Sequence, residues 1–167
     1  SAATMRFPAL RFDLVRAGLA LYGLAGDYPG ADRLAQWPAL AIHARISRLA
    51  ALAAGEGVGY GQTYVAPTPR RVALVGLGYG DGYPRALGGS GALLVNGRRA
   101  PVLGRVSMDQ IVIDVTDVGA VVVGDPATAL GRQSMAEVGA GEIAALAGTI
   151  PYEVVTGLAP RLPRAYL

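Results

Sequence analysis

Val58-Gly59-Tyr60-Gly61-Gln62-Thr63-Tyr64 and, after an apolar run, Gly78-Tyr79-Gly80-Asp81-Gly82-Tyr83-Pro84-Arg85 frame the stretch from which fold and site are read. Residues 71–77 between them are rich in Val and Leu and read as a strand. At each end stands a tyrosine with glycine on both sides. Glycine permits positive φ and lets a ligand approach the main chain, while the ring is held out from the turn. Two readings follow. Either the glycines only make turns and the tyrosines only pack, or the two phenols belong to one site. Spacing alone favours the first, and the rest of the chain reverses that judgement.

Working outward, Ile42, Ala44 and Ile46 alternate with His43, Arg45 and Ser47, the pattern of a strand with one wet face. His43 therefore points to solvent or to a neighbouring strand and is not read as a catalytic base. Residues 92–95, then Asn96-Gly97, then Arg98 onward give the strongest short hairpin signal. Pro101 marks the returning strand as an edge or an irregular start. Ser107-Met108-Asp109-Gln110 precedes a strand, Ile111-Val112-Ile113-Asp114-Val115, and residues 119–130 supply two more short strands around Gly124-Asp125-Pro126. Residues 39–131 are thus mainly β, a Greek-key or partly closed β-barrel. Residues 142–147 form a short helix closed by Gly148, and Thr149-Ile150-Pro151-Tyr152-Glu153 opens another with Pro in its first turn. Residues 161–166 end the chain as a strand-like piece.

On the amino-terminal side, residues 13–23 run from a polar start into an apolar segment ending at glycine, as a buried strand or barrel-edge element does. Arg16 within it is either solvated or buried beside a partner. Residues 27–38 are punctuated by Pro and Gly, carry the sole Trp, and read as a connector.

Composition narrows the function. With 52% hydrophobic residues over 167 positions the chain can bury a substantial core. Its 24 Gly and 11 Pro follow no short period, which favours turns and short strands. Cysteine is absent, which removes disulfide and thiolate chemistry and fits a reducing compartment. All 15 basic residues are arginine, so no side chain can form a Schiff base. The net charge of +3 is modest, and the arginines are scattered apart from Arg70-Arg71 and Arg98-Arg99, which argues against a nucleic-acid face. No run is long enough to span a membrane and no basic-then-apolar signal opens the chain, so a cytoplasmic protein that binds neither membrane nor nucleic acid is expected. No metal site is read.

Five segments in register carry a resemblance over essentially the whole chain. They are Val15-Arg16-Ala17-Gly18 to Leu21-Tyr22-Gly23, Val58-Gly59-Tyr60-Gly61, Gly78-Tyr79-Gly80-Asp81-Gly82, Gly104-Arg105-Val106-Ser107-Met108-Asp109-Gln110 and Thr149-Ile150-Pro151-Tyr152-Glu153. Together they resemble the carboxyl-terminal part of alanine racemase. The resemblance implies a remnant of a pyridoxal phosphate-binding (β/α)8 barrel over residues 1–37 and a β-rich carboxyl-terminal domain over residues 38–167. It further implies a homodimer in which each active site is built from one chain's barrel and the other's β domain.

Residue by residue, the resemblance makes Tyr60 one of two catalytic bases, moving the α-proton on one face of the substrate. A free phenol has a pKa of about 10, so such a base needs positive charge nearby. Arg16 matches the arginine that meets the cofactor's pyridine nitrogen, which weakens the ring as an electron sink and favours quick reprotonation. Ser1, the main chain at Gly18 and Leu19, and the Tyr152 hydroxyl match the phosphate ligands. Met108 and Asp109 match the loop that meets the substrate carboxylate, and Tyr79, with Tyr152, narrows the entrance to small amino acids.

The departure is the lysine that in this family holds the cofactor covalently and serves as the second base, for the chain has none. The chain, opening at Ser1 in what reads as mid-domain, is expected to be part of a longer polypeptide and to be inactive alone, with no cofactor trapped on it by borohydride. The parent activity implied is interconversion of L- and D-alanine for peptidoglycan synthesis. Two alternatives stand beside it: a non-catalytic β module for dimerisation or binding, and a racemase for another small amino acid such as serine.

Overall fold

A computed structural model describes residues 2–24 and 37–166. The chain divides into two compact units, Ser1–Leu40 and Ala41–Leu167. In the first, α1 (Ala2–Arg6) is followed by short 3-10 turns at Pro8–Leu10 and Leu19–Tyr22. The strand expected over residues 13–23 does not form. Leu21 N–H donates to Gly18 O at 2.8 Å and Gly23 N–H to Ala20 O at 3.1 Å, so local bonds use the groups a strand would offer to a neighbour. Gly23 closes the turn at φ +66°, where a Cβ would lie 1.7 Å from Trp37 O. Of the expected connector, residues 27–36 lie outside the described residues.

The second unit is built on β1 (Ile42–Leu52). Its first half pairs with β8 (Pro126–Gln133), Ile42 opposite Leu130 and Arg45 opposite Pro126. Its second half pairs with β4 (Arg70–Val75), from Ile46 opposite Val75 to Leu52 opposite Arg70. An irregularity between Ile46 and Arg48 lets one strand serve both neighbours. β5 (Ala92–Val95) joins β8 and the edge strand β6 (Arg98–Pro101), while β7 (Ile111–Asp114) continues from β4. The order is β6-β5-β8-β1-β4-β7, with the short β9 (Ala136–Val138) returning along β8 and a separate β2 (Gly57–Val58) and β3 (Tyr64–Val65) hairpin.

All these pairs are antiparallel, and the two outer strands meet. Val102, just past β6, bridges to Ile113 in β7, and Leu103 N–H donates to Val112 O at 2.8 Å. The sheet thereby curls into a partly closed barrel around Ile46, Val75, Leu93, Leu94, Val95, Ile111, Ile113 and Val115, all fully buried. Each such side chain is worth about 1.5–3 kcal/mol of transfer free energy. The wet-face reading of the first strand holds: Ile46 is buried while His43, Arg45 and Ser47 are exposed. The hairpin reading holds too, with Asn96 at φ +51° and Gly97 at φ +72°.

Two strand readings are corrected. Residues 119–125 make turns and only β8 is a strand there, because Asp125 Oδ2 accepts the Val122 N–H at 2.8 Å and Gly124 sits at φ +97°. Residues 161–166 form no strand, and Pro163 has no N–H to give one. Helices α2 (Ala140–Ala147) and α3 (Pro151–Thr156) pack on each other, α2 ending at Gly148 with φ +71°. Among the described residues no helix is long and apolar enough to cross a membrane.

Candidate active site

Tyr60 sits on a 3-10 turn, Tyr60–Gln62, at the tip of the β2–β3 hairpin. Gly59 and Gly61 both have φ +71°, so an L side chain at either would be strained. The turn thereby points the phenol outward, and the residue is 73% exposed. The Arg105 guanidinium runs beside it, for a Cβ on Gly61 would lie 3.3 Å from Arg105 Nη1. Gly104, at φ +66°, passes so close that a Cβ would lie 2.8 Å from Val58 O.

Tyr79 sits on another 3-10 turn, Tyr79–Asp81, where the chain leaves β4. Here the anchors are main-chain bonds to the same loop. Tyr79 N–H donates to Ser107 O at 3.0 Å and Gly80 N–H to Met108 O at 2.7 Å, while Ser107 N–H donates to Gln110 O at 3.0 Å. Residues 104–110 are therefore one clamp. Their first half passes close against the Tyr60 hairpin, their second half is hydrogen-bonded to the Tyr79 turn, and Met108 stands exposed beside it.

Beneath the Tyr79 turn, Asp81 is buried, with Oδ2 accepting the Gly78 N–H at 3.0 Å and Oδ1 accepting Arg161 Nε–H at 2.7 Å. That hydrogen bond first, and then the charges of Asp81 and Asp109, strengthen the hold of the Arg161 guanidinium on its proton. The ring of Tyr83 is buried, its hydroxyl has no hydrogen-bond partner among the described residues, and burial, reinforced by Glu142, pushes the phenol well up.

Tyr152 is the second residue of α3, half exposed, with a hydroxyl that makes no hydrogen bond among the described residues. In the first unit Arg16 is exposed and makes no ion pair among the described residues, Gly18 caps the 3-10 turn, and Leu19 buries its side chain at the turn's start. Ser1 lies outside the described residues. Among the described residues no cluster of His, Asp and Glu could hold a metal ion.

The structure adds Arg105, Asp81 and Arg161, which reading by motif did not single out as site residues. The first two lie inside quoted segments. Arg161 lay in a piece read as a strand and carried no signal of its own.

The family model for alanine racemase, C-terminal domain, matches residues 39–166. The alanine racemase of Halothermothrix orenii is 43% identical over 166 residues, covering 99% of this chain and 44% of that protein. A crystal structure of alanine racemase from Bacillus anthracis with bound L-Ala-P superposes with a TM-score of 0.93 at 38% identity, covering 100% of this chain and 43% of that one. Alanine racemase from the D-cycloserine producer Streptomyces lavendulae gives 0.92 at 40% identity, covering 100% and 44%. The chain thus spans less than half the length of the relatives it matches.

Proposed function

The chain belongs to the alanine racemase family as its C-terminal domain, and from that premise we propose that it is the carboxyl-terminal part of a racemase interconverting L- and D-alanine. The observation that carries the proposal is the clamp of residues 104–110, which lies against the hairpin of the outward-facing Tyr60 at one end and is hydrogen-bonded to the Tyr79 turn at the other. A packing tyrosine needs no such support at the surface. A base that must meet one proton at one atom does.

Tyr60 takes or returns the α-proton on one face of the amino acid. Arg105, along its turn, brings a fixed positive charge to that end of the loop. The main chain at Met108 and Asp109 receives the substrate carboxylate, and Tyr79, together with Tyr152, limits the entrance to small side chains. The base for the opposite face is a lysine, which this chain lacks. The isolated chain is accordingly inactive, and the first unit is the end of a barrel whose remainder carries that lysine. Activity arises in a cytoplasmic homodimer with sites shared between chains, supplying D-alanine for peptidoglycan.

Pyridoxal phosphate, when bound, supplies the electron sink that makes the α-proton removable. The residues present fit it as non-covalent contacts. Arg16 is an exposed guanidinium without an ion-pair partner among the described residues, suited to the ring nitrogen, and the Tyr152 hydroxyl is an unpartnered donor suited to the phosphate. Gly18 and Leu19 bring main chain to the start of a helical turn, and Ser1 adds a hydroxyl.

The test is Tyr60→Phe in the full-length protein. Turnover should fall by about 10²- to 10⁴-fold, the usual contribution of a positioned base, with folding intact. Unchanged racemisation of alanine by that variant rejects the assignment.

A further inference from the structure

Among the described residues Asp81 and Thr128 are the buried polar side chains. A buried carboxylate keeps its charge only where protein donors replace water. Asp81 has two such donors. Gly78 N–H is local and only closes the turn, whereas Arg161 Nε–H comes from 80 residues away, at 2.7 Å. The main chain follows the side chain, since Ala159 N–H donates to Asp81 O at 3.0 Å. A segment without regular secondary structure is thus tied at two points to the turn carrying Tyr79.

Arg161 does more than neutralise. A Cβ at Gly80 would lie 2.9 Å from Arg161 Nη2 and also 2.9 Å from Met108 O. The guanidinium therefore lies across Gly80, where turn and loop meet, and the absence of a side chain there leaves it room.

We propose that Arg161 is a positioning residue which, through Asp81 and across Gly80, fixes the main chain of Tyr79 and Met108 against an amino-acid carboxylate. This rests on the racemase reading above. Without Arg161 the Asp81 carboxylate is left buried beside a single N–H, and it must turn toward water or draw water into the turn. Either response loosens the turn on the loop's second half. Tyr60, on its own β2–β3 hairpin against the loop's first half, keeps its place. Substrate binding suffers more than proton transfer.

The test uses the full-length enzyme with its cofactor. Arg161→Ala should raise KM for alanine about tenfold while kcat stays within about twofold of wild type, the pattern of lost binding. Adding Asp81→Asn to Arg161→Ala removes the unpaired charge and should bring KM part of the way back, and Arg161→Lys should lie between Ala and wild type. If Arg161→Ala does not fold, Arg161→Gln is read in the same way. An unchanged KM in a folded variant, or a loss confined to kcat or to thermal stability, overturns the inference and leaves the racemase reading standing. A wild-type enzyme without racemase activity overturns both.

Discussion

Gly80 donates its main-chain N–H to the carbonyl oxygen of Met108 across 2.7 Å, and the neighbouring Tyr79 N–H does the same to Ser107 across 3.0 Å. Two loops with nearly 30 residues between them are joined through their main chains, with neither in a strand. This makes position, and not chemistry, the fragile property of this end of the barrel. The glycines on either side of Tyr79, Gly78 and Gly80, are the price of that approach.

Gly78 shows it most directly. Its φ of −159° is ordinary extended backbone, so the demand is for space alone. A Cβ there would lie 2.3 Å from Ser107 O and 2.5 Å from Met108 O. Gly78→Ala should cost about 1–3 kcal/mol through forced displacement of the loop. Gly76→Ala, whose Cβ would meet nothing within 4 Å, should stay within about 0.5 kcal/mol of wild type. Urea denaturation of the two variants side by side measures the difference, and equal stabilities contradict the clamp.

Tyr83 gives a prediction with a pH sign. Its buried hydroxyl has no partner among the described residues, so Tyr83→Phe should change stability at neutral pH by no more than about 1 kcal/mol. Burial raises the phenol's pKa in the folded state, so the unfolded chain releases this proton at about pH 10 while the folded chain still holds it. The contribution is fully present below that pH and falls as pH rises, by up to about 1.4 kcal/mol per unit. Wild type should lose stability faster than Tyr83→Phe between pH 9 and about pH 11. Parallel stability curves rule out the buried, protonated phenol.

How much of this could be read beforehand depends on the range of the interaction. Asn96-Gly97 was legible because a two-residue turn with both φ positive leaves few choices of residue. The helix ending at Gly148 was legible for the same local reason. Val121-Val122-Val123 misled, since β-branched residues suggest a strand while Asp125 captures the Val122 N–H and turns the chain. The clamp of residues 104–110 left no periodic trace, because main-chain bonds are indifferent to side chains. Arg161 was invisible as a site residue because its meaning lies wholly in Asp81, 80 positions away.

Thr128 tests the opposite side of β1. It is fully buried, and its hydroxyl lies 2.9 Å from both His43 Nδ1 and Gln133 Nε2. Gln133 in turn accepts the Gly97 N–H at 3.1 Å and donates to Pro126 O at 3.1 Å, so one hydroxyl links β1 and β8 to the β5–β6 turn. Thr128→Val keeps the shape and removes both bonds. The loss would approach 3 kcal/mol if the partners were stranded, by the usual scale of ~1–3 kcal/mol for an unsatisfied group. They are not, because His43, Gln133 and Thr128 line an open concavity of about 620 Å³ that admits water, and Gln133 keeps Pro126. The expected cost is therefore about 1 kcal/mol, with faster amide exchange at Gly97. Thr128→Ala removes methyl packing as well and should cost about 1 kcal/mol more. Val and Ala variants of equal stability would mean that the hydroxyl, and not the packing around it, carries the whole contribution.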